Sequence, residues 1–344
     1  MVTAYVTHPR FIEHTLPGHP EHAGRIQAIW KQIDAAQLSD RMQKITPQPV
    51  TRDLILSVHT QDYLDQLIWV SSNHAEMVLL NPDTYFGPTS LEIARLAAGG
   101  VVGAVDEVLS GRAANALAVV RPPGHHAVPD NAMGFCLLGN VAVASQFARR
   151  EYDLERIMIV DFDVHHGNGT QDMLYDDPHT LFISTHQSPF YPGTGGIKET
   201  GTGAGQGYTV NIPLRSGHGD SSYAAIYEQV IWSLAERYQP QLIMVSAGFD
   251  AHWNDPLAGM KLSLSGYDHL TRELMRMADT FCDGKIIFAL EGGYNLDALG
   301  HGIRNVAHAL LGDDQMSDPL GPAPDQTEPD VLPLIDEIRH VHKL

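Results

Sequence analysis

The chain has 344 residues, 43% of them hydrophobic and 18% charged, the composition of a globular protein with a large buried core rather than of a disordered or fibrous one. Lys+Arg 22 against Asp+Glu 41 gives a formal net charge of -19, which opposes binding to nucleic acid or anionic lipid and favours cationic ligands. Cys136 and Cys282 are too few for a disulfide framework, the opening residues lack the regions of a signal peptide, and no uncharged stretch reaches the roughly 20 apolar residues that cross a bilayer, so a cytoplasmic protein without membrane partners is expected.

In chain order, apolar residues recur at helical spacing from Ser90 to Ser110, and Ala116 to Val120 follows as a short apolar run, the mark of a strand buried on both faces of a parallel sheet. Arg156 to Val160 is a second such run. A helix over Tyr223 to Tyr238, stopped by Pro240, precedes a third run at Leu242 to Ser246, and a helix over Tyr267 to Asp283 precedes a fourth at Lys285 to Leu290. This alternation predicts βαβ units in a single-domain α/β fold: a doubly wound, mostly parallel sheet with helices on both faces and the active site at the C-terminal ends of the strands. No linker or charge block interrupts the chain before residue 312, so residues 1–312 are read as one domain. Residues 313–344 form a Pro- and Asp-rich tail with a terminal helix that could pack on the body, meet another subunit or stay mobile.

Each of these strands runs into polar residues: Arg121-Pro-Pro-Gly-His125-His126, then Asp161-Phe-Asp163-Val-His165-His166-Gly-Asn168, then Ala247-Gly-Phe-Asp250-Ala-His252, and last Glu291-Gly-Gly-Tyr294. A lone Asp after a strand is commonly a helix cap. Several carboxylates and histidines converging on one sheet edge, however, require a cation or a hydrogen-bond relay to organise them. Asp163 and His165, two apart, project to the same side of an extended end, and Asp250 supplies a third ligand from another strand. Two carboxylates and one imidazole leave positions open, as in a catalytic site; zinc is the first choice and ferrous iron the alternative. His125 and His126 can both border a metal-bound water, one of them as general base, with Asp161 and Asn168 as unequal partners behind them. Tyr294, after two glycines, is suited to donate to an oxyanion.

These residues resemble the histone deacetylase and acetylpolyamine amidohydrolase superfamily, through RPPGHHA at 121–127, MGFC at 133–136, DFDVHHGNGTQ at 161–171, SAGFDAH at 246–252 and LEGGYN at 290–295. The likeness runs from His19-Pro20-Glu21 to about Gly312. It implies zinc on Asp163, His165 and Asp250, the histidine pair His125 and His126, and Tyr294 polarising the acyl carbonyl. It also implies a narrow tunnel lined by Gly134, Phe135 and Tyr191, with Tyr191 standing where relatives often have Phe, and Arg25 near an exit for the released acid. A structural potassium ion would use Asp161 with backbone oxygens of Asp163 and His165, plus Ser184. Asn168 and Leu290-Glu-Gly-Gly-Tyr294 look like the class II branch and its bacterial relatives. Polyamine-selective relatives of class II type carry Glu where Leu257 stands, while other members select polyamines by dimer-shaped channels, so the resemblance favours an acylated lysine or similar acylated amine and keeps acetylpolyamine as the alternative.

Cys136 is read as inert, His186 and His252 as structural, and Gly201 to Gly207 as a flexible surface loop, because no strand precedes it and no P-loop lysine follows. A two-metal ureohydrolase would need a carboxylate at Gly167. A silent acyl-amine binding protein would tolerate loss of Tyr294 or of a histidine of the pair, and all are present. A homo-oligomer, with the terminal helix as its interface, is the remaining partner expectation.

Overall fold

The computed structural model describes residues 2–344. Its strands are β1 (Thr3–Val6), β2 (Gln43–Ile45), β3 (Val78–Leu79), β4 (Tyr85–Phe86), β5 (Asn115–Ala118), β6 (Ile157–Asp161), β7 (Thr180–Gln187), β8 (Thr209–Leu214), β9 (Leu242–Ala247) and β10 (Ile286–Leu290). All but the β3–β4 ribbon join one eight-stranded sheet in the order β2-β1-β5-β10-β9-β6-β7-β8, with every pair parallel. The four runs picked out from the sequence are the four adjacent central strands β5, β10, β9 and β6. Being covered on both faces, they are apolar throughout, and all five side chains of Ile-Ile-Phe-Ala-Leu in β10 are buried.

The helices are α1 (Gly24–Ala35), α2 (Arg52–Ile55), α3 (Gln61–Asn73), α4 (Ser90–Leu109), α5 (Asn140–Tyr152), α6 (Asn168–Leu174), α7 (Asp220–Ile226), α8 (Trp232–Tyr238), α9 (Leu264–Phe281), α10 (Leu296–Leu310) and α11 (Leu332–His342). The helix expected over 223–238 is a continuous rod from α7 through a π-helical turn at Tyr227–Ile231 into α8. Caps set two starts that matter: Ser263 Oγ accepts from Gly266 N–H at 3.0 Å to open α9, and Asn295 Oδ1 accepts from Asp297 and Ala298 to open α10 immediately after Tyr294. Among the described residues, no helix is long and apolar enough to cross a membrane.

The outer strands β1, β2, β7 and β8 had no clear signal. β7 reads Thr-Leu-Phe-Ile-Ser-Thr-His-Gln, and its polar half is buried because β6 and β8 flank it, not because of any periodicity. The loop at 201–207 differs from a free surface loop. Gly201 and Gly205 are buried, and Thr202 N–H donates to Tyr175 O at 2.8 Å, so the segment is pinned to the body.

The tail takes the first of its three options. Val331, Ile335 and Ile338 join the main core, and Arg237 donates to His342 O at 2.5 Å. Glu328 accepts from the N–H groups of Gly219, Ser221 and Ser222 at 2.8, 3.0 and 3.0 Å, satisfying the free donors at the start of α7. Glu328→Ala is therefore expected to lower unfolding free energy by about 1–2 kcal/mol while leaving the fold intact, measured by urea denaturation monitored by circular dichroism.

Candidate metal centre and active site

In an all-parallel sheet the C-terminal ends of the strands share one edge, so the turns after β5, β6, β9 and β10 meet. There Asp163, His165 and Asp250 bring one ligand atom each within 4.8 Å of one another, all three residues buried. His165 Nδ1 stands 3.2 Å from Asp163 Oδ1 and 3.3 Å from Asp250 Oδ2. The outer oxygens are occupied: Asp163 Oδ2 accepts from Gly292 N–H at 2.7 Å and Asp250 Oδ1 from Val164 N–H at 2.8 Å. Asp250 Oδ2, buried and facing the centre, accepts no hydrogen bond. A buried carboxylate oxygen with no partner between a second carboxylate and an imidazole suits a cation. Burial works against charge on His165, yet the facing carboxylates of Asp163 and Asp250 hold its pKa up at about 10; a divalent ion would take the place of that proton.

Gly292 is required by this packing, since a Cβ there would overlap carboxylate oxygens of both Asp250 and Asp163. Gly134, at φ +56, likewise faces the ring of His126 with no room for a side chain. The next residue, Phe135, holds φ 69, a left-handed conformation that a non-glycine residue adopts at about 1–2 kcal/mol. That turn aims its ring edge-on at Tyr294, 5.8 Å between centroids.

The histidine pair is bound from behind by unequal partners. His125 Nδ1 meets Asp161 Oδ2 at 3.0 Å, and His126 Nδ1 meets Asn168 Oδ1 at 2.8 Å. Burial disfavours charge on His125, but Asp163 and Asp161 outweigh it and raise its pKa well above that of a free imidazole. His126, where burial acts together with the neighbouring His125 and His165, is driven well below it. Burial pushes Asp161 up to about 6.

A cavity of about 170 Å³ ends on this cluster, lined by Asp83, His126, Gly134, Phe135, His165, Tyr191, Leu257 and Tyr294. Gly134, Phe135, Tyr191 and Leu257, the positions expected to meet substrate, thus share one cavity. Arg25 is fully buried behind Tyr294, its guanidinium carbon 5.0 Å from the ring centroid, and donates to Gly293 O and Glu291 O at 2.7 and 2.6 Å. Ser184 is the register partner of Asp161, and its Oγ meets His186 Nδ1 at 3.0 Å.

Three residues near the centre had been given no role. Asp83 lies in a stretch without periodicity; its Oδ1 accepts from Gly134 N–H at 3.1 Å. Asp255 accepts from the N–H groups of Tyr294, Asn295 and Leu257, and Glu291 from those of Gly124 and His125. Glu291 sat inside the LEGGYN motif and Asp255 two residues before Leu257, but only the fold shows what they hold. A second cluster, Glu228, His269 and Glu273, also has metal-ligand spacing. There Glu273 is already paired with Arg276 and accepts from Trp232 Nε1, and Glu228 is exposed, so it reads as a surface ion-pair group.

The profile of the histone deacetylase domain family matches residues 19–310. Histone deacetylase 10, chloroplastic, of Oryza sativa subsp. japonica is 37% identical over 99% of this chain and 81% of its own length. A probable deacetylase of Archaeoglobus fulgidus is 39% identical over 91% and 88%, and the histone deacetylase-like amidohydrolase of Pseudomonas aeruginosa 39% over 81% and 73%. The crystal structure of the HDA15 HD domain superposes with a TM-score of 0.90 at 34% identity, covering 99% of this chain and 94% of that one. The chain belongs to the histone deacetylase family and is a hydrolytic enzyme of the deacetylase and amidohydrolase kind.

Proposed function

We propose that the chain hydrolyses the acyl amide of an acylated lysine side chain with the aid of one zinc ion. The observation that carries this reading is the narrow 170 Å³ cavity on whose floor a three-ligand centre, a neutral imidazole and a tyrosine come together. Residues 1–312 carry the chemistry and 313–344 brace the body. Asp163, His165 and Asp250 would hold the zinc, and a potassium ion on Asp161, the backbone oxygens of Asp163 and His165, and Ser184 would steady the loop beneath it. A divalent ion held there supplies a water of lowered pKa and polarises the acyl oxygen.

The chain's own residues do the rest. His126 donates its Nδ1–H to Asn168 Oδ1, which leaves Nε2 unprotonated and facing the cavity, so it takes the water's proton and returns it to the departing amine. His125, charged against Asp161, stabilises the negative charge that develops beside it. Tyr294, whose burial raises its pKa well above 10, stays protonated and donates to the acyl oxygen. Phe135 and Tyr191 would flank the lysine's methylene chain, excluding water from it. Arg25, behind Tyr294, would stand on the route of the released acid. Leu257 stands apolar where class II polyamine-selective relatives carry Glu, and Asp83, the carboxylate in the lining, already accepts from Gly134 N–H and Thr84 Oγ1, which favours acyl-lysine over acetylpolyamine.

Asp250→Ala is expected to lose bound zinc, measured by elemental analysis after dialysis, with turnover falling by ~10²-fold or more, at least the loss typical of disturbing a ligand's supporting partner. Tyr294→Phe should keep its zinc and lose ~10²–10³ in kcat with little change in KM. On wild type, acetate release from an acetyl-lysine peptide should exceed that from an acetylated polyamine by about tenfold in kcat/KM, about 1.4 kcal/mol of discrimination; the reverse order would overturn the substrate reading. Because His126 must be unprotonated and its pKa is depressed, the acid limb of kcat/KM should lie below pH 6.5 in wild type. Asn168→Asp, by placing a carboxylate behind the same imidazole, should move that limb upward.

A further inference from the structure

The Glu291 carboxylate is 1% exposed and touches no cavity surface, so it has no direct part in the reaction described above. Its Oε2 accepts two consecutive N–H groups, Gly124 at 2.7 Å and His125 at 3.1 Å, and its Oε1 accepts from Ser246 Oγ at 3.3 Å. On its other side the 121–126 turn is closed in by the start of α5. Asn140 Nδ2 donates to Pro122 O at 3.1 Å, and a Cβ on Gly124 would strike Asn140 N and Leu138 O. The turn carrying the histidine pair is therefore held between α5 and one carboxylate.

The same residue begins the turn that carries Tyr294. Its own carbonyl accepts from Arg25 at 2.6 Å, Gly292 N–H reaches Asp163 Oδ2, Gly293 O accepts from Arg25 Nε at 2.7 Å, and Tyr294 N–H reaches Asp255 Oδ2 at 2.7 Å. Within four residues the main chain is tied to the ligand set and to α1, while the side chain of the first is tied to the turn that carries His125 and the base, His126. We infer that Glu291 is a positioning residue that sets the separation between the His125–His126 pair and Tyr294 across the reacting carbonyl.

What matters in this arrangement is an acceptor of the right reach, because two buried N–H groups of one turn need the same oxygen. A glutamine keeps that oxygen and can turn its amide nitrogen to Ser246 Oγ. A methionine fills similar space and offers no comparable acceptor, so the turn would relax away from Tyr294. Displacing catalytic groups by about 1 Å costs on the order of 10²-fold in turnover, without a matching loss of substrate binding.

The kinetic half of the inference rests on the acyl-lysine reading, so the test pairs turnover with a measurement that needs no substrate. Glu291→Met and Glu291→Gln are compared with wild type for zinc content, for kcat and KM on an acetyl-lysine peptide, and for hydrogen exchange of residues 122–128 by mass spectrometry. In Glu291→Met, kcat should fall about 10²-fold with KM within about threefold, zinc should stay bound, and faster exchange should be confined to 122–128; in Glu291→Gln, kcat should return to within about tenfold and protection should be restored. Combined with Tyr294→Phe, Glu291→Met should cost less than the product of the two single losses, since both act on one geometry. Unchanged exchange and kcat in Glu291→Met overturn the inference. So does faster exchange throughout the chain with loss of zinc and no rescue by glutamine, which would mark a merely structural role. A wild type inactive on the peptide would defeat the acyl-lysine reading alone, and the exchange comparison would still decide whether Glu291 pins the turn.

Discussion

Asp161, Asp163, Asp250 and Glu291 are all at most 1% exposed and crowd the same sheet edge, and their burial and mutual repulsion are the constraint around which the rest of the site is built. Carboxylates removed from water are stable only when each oxygen meets a donor or a cation. Backbone N–H groups of Gly124, His125, Asp163, Val164, His165 and Gly292 supply most of the donors. Burial still pushes Glu291 up to about 7 and raises Asp250, the direction expected where donors alone do not balance the charge. The deficit lies at the centre of the ligand triad, where Asp250 Oδ2 is left bare, and a divalent ion there would offset it.

A second buried electrostatic unit holds the N-terminal segment against this edge. Arg121 is bidentate to Glu21 and donates to Phe11 O and His14 O, while Arg25 shares Glu21 and continues to the Gly293 and Glu291 carbonyls. All three charged groups are fully buried, so removing one partner would leave an uncompensated charge, a loss of about 3–5 kcal/mol. The arrangement links the residue before the Pro-Pro-Gly turn to the floor beneath Tyr294 through side chains up to a hundred positions apart. Its stability and the placement of Tyr294 are therefore not separable.

The relation between strand position and legibility has a physical basis. The central strands β5, β6, β9 and β10 are apolar because both faces are covered, and a short apolar run between helices is visible without knowing the fold. At the sheet's margins the environment of a residue depends on what happens to pack there. His186 is fully buried and bonded to Ser184 and Gly195, yet the half of β7 that holds it, Ser184 to Gln187, is polar like a loop.

By itself the sequence determined the α/β class, the central strands, and the identity of the residues that follow them, because each depends on short-range pattern: apolar runs for strands, an i, i+2 spacing for Asp163 and His165, two glycines before Tyr294. Asp161 and Asn168 could be named as unequal partners of the histidine pair, but which stands behind which histidine came from the fold. Only the tertiary structure decided the docking of the tail through Glu328, the withdrawal of Arg25 behind Tyr294, and the roles of Asp83, Asp255 and Glu291. Those depend on hydrogen bonds between segments tens to hundreds of residues apart, and the direction of an N–H or a carboxylate across such a gap is set by how the strands and helices pack, which no local pattern encodes.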